Sequence, residues 1–141
     1  MAAETQSEYK MPLPRMRGPA EDFYKYCHAH ELRFQRCTDC GTWRHIPRDM
    51  CAKCGSFNFE WARSSGKGKI FSWTVAEQPF LPQFKPVVPY AVVVVELDEG
   101  VRMVSWVRDI KPDELTLGMP VEVVFEDVTP EVTLHRFRRA H

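Results

Sequence analysis

The chain is predicted to be mainly β, with a short N-terminal helix, then a rubredoxin-like zinc ribbon, then a five-stranded barrel. Two observations carry that expectation. Two matched cysteine pairs, Cys37-Thr38-Asp39-Cys40-Gly41 and Cys51-Ala52-Lys53-Cys54-Gly55, fall within one short stretch, and such spacing marks a metal-held ribbon. Downstream, five β-branched and aromatic runs are separated by turn residues. A break between the third and fourth runs fits the Greek-key barrel called the OB-fold; a small open β-sandwich is the alternative.

Residues 1–18 read as a mobile arm, because Pro12, Pro14 and Gly18 punctuate scattered charge with no periodicity. Its first ten residues are polar and acidic, without the apolar stretch of a signal peptide. The longest apolar run, Val87–Val95, is interrupted by Pro89 and falls far short of the ~20 residues that span a bilayer. A soluble chain in a reducing cytoplasm, with no membrane partner, is the expectation.

Pro19-Ala20-Glu21-Asp22 reads as a helix start, since proline suits the first helical position and acidic groups suit the first turn. Phe23, Tyr24, Cys27 and Leu32 lie near a 3–4 spacing, so a short amphipathic helix is expected over 19–30. Cys27 has no partner by spacing and is read as a packing residue.

Residues 31–62 form the ribbon. In each knuckle two sulfurs converge on one side of a tight turn, and the following glycine allows backbone angles that aim amides at the thiolates. Cys37, Cys40, Cys51 and Cys54 are the predicted metal ligands. Four thiolates in tetrahedral array favour Zn²⁺, one per chain, with no open coordination position, so the metal would be structural. Iron is the rival, as in rubredoxin-type electron carriers; two disulfides or free thiols are the remaining alternative. His45 lies nearby, but the cysteines already complete a ligand set. Leu32–Arg36, Thr42–Pro47 and Phe57–Trp61 are the expected ribbon strands.

Residues 63–141 form the barrel. Its strands are expected at Lys67–Val75, Tyr90–Leu97, Val101–Val107, Val121–Phe125 and Val132–Phe137, with one helical turn at Pro112-Asp113-Glu114-Leu115. Between the first two strands, Gln78–Pro89 holds four prolines together with Phe80, Leu81 and Phe84. Those large apolar groups either cap the barrel or face a partner.

Charge narrows the function. Lys plus Arg number 19 and Asp plus Glu number 19, a balance that holds within ribbon and barrel alike. The footprint of a nucleic-acid binder is missing. Gly66-Lys67-Gly68 lacks the third glycine of a dinucleotide loop, and no nucleophile elbow or P-loop is present. Arg63, Lys67 and Lys69, with Trp73 further along the first barrel strand, make a local cluster of cations and an aromatic ring. That cluster suits a phosphate and an adenine ring, as in coenzyme A; lysines guarding a solvated strand edge are the plainer reading. His135-Arg136-Phe137-Arg138-Arg139 is read as a solvated basic tail.

The order of elements resembles a known family. It runs from a short helix through Cys37-Thr38-Asp39-Cys40-Gly41 and Pro47-Arg48-Asp49-Met50-Cys51-Ala52-Lys53-Cys54-Gly55. It continues with Ser65-Gly66-Lys67-Gly68-Lys69-Ile70-Phe71-Ser72-Trp73-Thr74-Val75 and Val95-Glu96-Leu97-Asp98-Glu99-Gly100-Val101-Arg102-Met103. This is similar to the DUF35 family of zinc-ribbon/OB-fold, acyl-CoA-associated proteins, over nearly the whole chain after about residue 18. The resemblance implies a small accessory subunit of a thiolase-superfamily enzyme (thiolase, acyltransferase or aldolase). It also implies that the catalytic groups sit on the thiolase-like partner and that acyl-CoA is shared with it. Two other classes are carried forward. One is a module for single-stranded nucleic acid that stacks bases on Phe71, Trp73 and Trp106. The other is a rubredoxin-like electron carrier.

Overall fold

A computed structural model describes residues 9–140. The expected arm at 1–18 lies partly outside them; residues 9–18 carry no regular secondary structure. Tyr9 is half-buried beside Arg136 and Glu126 of the barrel, so this stretch lies against the domain.

Helix α1 spans Pro19–His28. Glu21 and Asp22 occupy the first turn and Lys25 and His28 the last, each sign facing the favourable end of the helix dipole. The helix stops earlier than the expected 30 because His30 adopts φ 60°. The Glu31 N–H then bonds the Tyr26 carbonyl at 2.9 Å and the His30 N–H bonds that of Cys27 at 2.9 Å, a Schellman closure with histidine in the left-handed position. Phe23 and Cys27 form the buried stripe.

The ribbon is a three-stranded antiparallel sheet of β1 (Arg33–Cys37), β2 (Trp43–Arg44) and β3 (Phe59–Arg63), in the order β2-β1-β3. Strand β2 is shorter than expected, because the chain after Arg44 folds back over a buried glutamine. Gln35 donates to the Arg48 carbonyl at 2.8 Å and accepts from the Arg48 N–H at 2.7 Å and Arg44 Nε at 3.2 Å. A buried side-chain amide therefore satisfies backbone groups that a longer strand would have paired. The ribbon sheet reaches Arg63, which pairs with Arg33, one residue into the segment predicted as barrel.

The barrel comprises β4 (Lys67–Ala76), β5 (Tyr90–Leu97), β6 (Arg102–Trp106), β7 (Pro120–Asp127) and β8 (Thr133–Arg139), ordered β6-β5-β4-β7-β8. A parallel bridge between Val107 and Phe137 brings the two edge strands together. This near-closure fits the OB-fold rather than the open sandwich. Although β5 reads as a continuous apolar run, only Ala91, Val93, Val95 and Leu97 are buried. They meet Ile70, Met103, Val121 and Phe137 in one core that continues through Phe34 and Leu32 into Phe23 and Cys27. Ribbon, helix and barrel therefore share a hydrophobic centre. The linker between them is fixed by Glu99, which accepts from the Ser64 hydroxyl and from the Ser65 N–H at 3.0 Å.

Strand β4 carries the main irregularity. Its register against β5 shifts between Ile70 and Ser72, leaving Phe71 as the extra residue of a bulge. A short 3₁₀ turn at Pro82–Phe84 lies in the proline-rich connection and another at Pro112–Glu114 between β6 and β7.

Candidate metal centre and surrounding surfaces

The two knuckles are near copies of each other. The Gly41 N–H bonds the Cys37 carbonyl at 2.9 Å, and the Gly55 N–H bonds that of Cys51 at 2.9 Å. Cys37 N–H reaches the Thr42 carbonyl at 2.9 Å, and Cys51 N–H reaches that of Ser56 at 2.8 Å. Gly41 and Gly55 take φ 76° and 77°, the left-handed conformation that glycine enters without a Cβ penalty. Asp39 ties the knuckles together, accepting from the Ser56 hydroxyl and, at 3.2 Å, from Asn58 Nδ2.

Cys37, Cys40, Cys51 and Cys54 bring their sulfurs within 4.8 Å of one another. The Cys37–Cys54 and Cys40–Cys51 sulfur pairs are each 3.6 Å apart. Tetrahedral ligands at a Zn–S distance of about 2.3 Å would lie about 3.8 Å apart, so the donor set fits a metal ion. The sulfurs are in contact rather than bridged, and no described cysteine is in a disulfide. Hydrogen bonds favour charged sulfur at two of the four cysteines. At Cys54 the Ser56 backbone N–H pulls the same way, but the crowding thiols of Cys37, Cys40 and Cys51 push it up to about 12. The Thr42 side chain and backbone pull the Cys40 thiol down to about 6. The backbone N–H groups of Cys54 and Lys53 lower that of Cys51. Cys27, by contrast, is wholly buried and its thiol is pushed up to about 12 by desolvation, which makes it inert packing.

Arg63, Lys67, Lys69 and Trp73 do not share one surface. Lys67 and Lys69 project outward from β4, but the Phe71 bulge reverses the parity beyond them. Trp73 thereby pairs with buried Val93 and packs against the core. Arg63 is paired with Glu31 at 3.0 Å and Lys69 with Glu96 at 3.7 Å. Phe71, displaced outward, lies under the Arg102 guanidinium at 3.7 Å.

The proline-rich connection divides. Phe84 stacks on Tyr90 at 5.7 Å between ring centres and meets Trp106 edge-on at 6.2 Å. Phe80 is 88% exposed and Leu81 45% exposed. Phe84 thus anchors the loop to the barrel while its two neighbours face outward.

The sites considered for base stacking are occupied. Trp73 faces inward, Phe71 lies under Arg102, and Trp106 lies between Tyr90 at 4.5 Å and the Arg136 guanidinium at 5.0 Å. The terminal arginines belong to a strand rather than a loose tail. Arg136 pairs with Glu126 at 3.3 Å, Arg138 with Glu122 at 3.0 Å and Arg139 with Glu114 at 2.8 Å.

Sequence reading missed two histidines that meet a cleft between ribbon, helix and barrel. His45 packs on Phe23 and Phe34 at 5.1 and 5.4 Å. His135 has the same parity on β8 as buried Thr133 and Phe137, a placement that alternation along the strand could have signalled. Burial, aided by Arg48, lowers His45 to about 4. Burial, aided by His45 and Arg136, lowers His135 to about 3.

Among the described residues, no helix is long and apolar enough to cross a membrane.

Comparison with known proteins places these features in a family. Residues 27–60 match the model of the "ChsH2, rubredoxin-like zinc ribbon domain" and residues 61–126 that of the "ChsH2, C-terminal OB-fold domain". A "probable enoyl-CoA hydratase alpha subunit" of Thermomonospora curvata is 37% identical over 92% of this chain, which spans only 40% of that relative. A "DUF35 domain-containing scaffold protein" of Methanothermobacter thermautotrophicus is 37% identical over 64% of this chain and 83% of its own length. A chain of the solved "Ltp2-ChsH2(DUF35) aldolase" superimposes with a TM-score of 0.82 at 36% identity, covering 92% of this chain and 100% of that one. Matched in both ribbon and barrel, and over most of a relative's own length, this chain belongs to the DUF35 family.

Proposed function

We propose that this chain is a non-catalytic accessory subunit of a hetero-oligomeric enzyme acting on acyl-CoA thioesters, and that a thiolase-like partner supplies the reacting groups. The observation that carries this reading is the likeness, over its whole length, to a chain of the solved "Ltp2-ChsH2(DUF35) aldolase". A relative named as a hydratase subunit and another named as a scaffold protein agree with it. The subunit braces its partner and helps enclose the thioester, which protects an enolate from water and fixes its geometry.

In this reading the four-cysteine centre holds one Zn²⁺ that serves folding alone, because four thiolates fill its tetrahedral positions. Metal binding of this kind contributes ~10–16 kcal/mol to the folding of a small ribbon. The helix at 19–30, the ribbon at 31–62 and the barrel at 63–141 are the proposed divisions, and they act as one body because they share a hydrophobic core. Phe80 and Leu81 are the proposed partner contacts, with Phe84 holding them in place. Lys67 and Lys69 remain the proposed contacts for CoA phosphates and Arg63 a weaker one, since Glu31 already engages it. Trp73 supports that strand from the core side.

Reconstitution tests the reading. The zinc-loaded chain alone should not turn over acyl-CoA substrates, whereas its complex with a co-expressed thiolase-like partner should form or cleave a carbon–carbon bond. Turnover by the chain alone would contradict it. A colourless protein with one zinc is expected; a red, iron-loaded protein with a reversible couple would instead support an electron carrier.

A further inference from the structure

Arg44 is a buried cation that lacks a carboxylate. It is only 7% exposed. Its Nε donates to the Gln35 side-chain oxygen at 3.2 Å and to the Arg48 carbonyl at 3.2 Å, and its Nη2 donates to that same carbonyl at 2.9 Å. The guanidinium also lies over the Phe59 ring at 4.9 Å. All these partners are neutral. Nη1 is buried with no hydrogen-bond partner among the described residues. A charge taken out of water is ordinarily paired, so Arg44 calls for a counter-ion that the chain itself does not supply.

A cleft of about 370 Å³ opens beside it, between the second knuckle, the loop after β2 and the turn from β5 to β6. Arg44, Arg48 and Arg102 line it, and no aspartate or glutamate does. Arg102 is already paired with Glu96 at 2.9 Å. Arg48 is exposed and in no ion pair among the described residues. Thiolate at Cys51, which also lines the cleft, offsets part of this charge. Arg44, however, hydrogen-bonds to no sulfur among the described residues.

The free donors select the anion. One nitrogen of Arg44 and the guanidinium of Arg48 are open, and a planar carboxylate offers one oxygen to each. An isolated carboxylate would gain little from exposed Arg48 in water. It needs a scaffold that excludes solvent from the cleft. Ile46 and Met50, on the same loop as Arg48, are 67% and 49% exposed. An acidic side chain flanked by apolar neighbours on a protein surface would meet both demands, pairing with the arginines and covering the apolar rim.

We infer that this cleft receives an aspartate or glutamate side chain of a protein partner, which supplies the counter-charge of Arg44 while its apolar neighbours cover Ile46 and Met50. The existence of a partner subunit rests on the function proposed above; the chemistry of the cleft does not.

Arginine Nε–H NMR signals of the zinc-loaded full chain test this, with the peptides Ac-Leu-Glu-Leu-NH2 and Ac-Leu-Gln-Leu-NH2 as probes at fixed ionic strength. The glutamate peptide should move the Arg44 and Arg48 signals saturably, and those of Arg63 and Arg138, paired elsewhere, should stay in place. The glutamine peptide should bind at least about tenfold more weakly, as should the glutamate peptide to Arg48→Gln. Arg48 holds Gln35 and Arg44 through its backbone, so replacing its exposed side chain leaves those bonds intact. In the complex with a co-expressed thiolase-like partner, Arg48→Glu should weaken assembly by about tenfold or more, and Arg48→Lys should largely retain it. No saturable shift, equal binding of the two peptides, equal or tighter binding of inorganic phosphate, or normal assembly by Arg48→Glu would overturn the inference. A wild-type chain that assembles with no thiolase-like protein would contradict the proposed function instead, and the peptide titration would still decide the cleft.

Discussion

At Cys40 and Cys51, hydrogen bonds that stabilise thiolate are in place before any metal is considered. A Cys40→Ala chain should therefore lose metal and ribbon structure together. Zinc content near zero, with collapse of the ribbon's dispersed NMR signals, is the expected result. His45 and His135 set a second residue-scale expectation. Both titrate below their ordinary 6.5, at about 4 and about 3, so the unfolded chain takes up their protons first as pH falls. Their stabilisation is complete above about 6.5 and is lost as pH drops toward 4 and below. Each histidine removes about 1.4 kcal/mol per pH unit inside that window. Urea unfolding between about pH 7 and about pH 5 should show a loss of about 2–4 kcal/mol, and His45→Phe should remove about half the slope.

Elements were legible where a period or a turn residue announced them. The helix start, both knuckles and all five barrel strands follow from spacing, alternation and glycine. What alternation hides is an inserted residue. The bulge at Phe71 changes no composition, yet it sends Trp73 inward and separates it from Lys67 and Lys69. The back-fold over Gln35 was hidden for a related reason, because a buried amide replaced strand pairing that a local pattern would show. Gly68 shows how tightly β4 is built. A Cβ there would stand 2.4 Å from the Glu96 carbonyl oxygen, a backbone atom that cannot step aside. Gly68→Ala should cost about 1–3 kcal/mol, measured as a lower urea midpoint with zinc still bound. The exposed loop behaves differently. Phe80→Asp should leave the urea midpoint nearly unchanged, since Phe80 is 88% exposed, but should weaken partner assembly by about tenfold or more.

Across the whole molecule, one hydrophobic centre joins helix, ribbon and barrel. A ribbon held by metal can therefore present the barrel's loops as part of a single body. The balanced charge and the paired arginines of β8 argue for a protein partner rather than nucleic acid. The most direct test of the accessory-subunit account is affinity isolation of the tagged chain from its own cells, with mass spectrometry of what accompanies it. A near-stoichiometric thiolase-like protein is the predicted result. A chain isolated without a partner, or one carrying nucleic acid, would contradict the account.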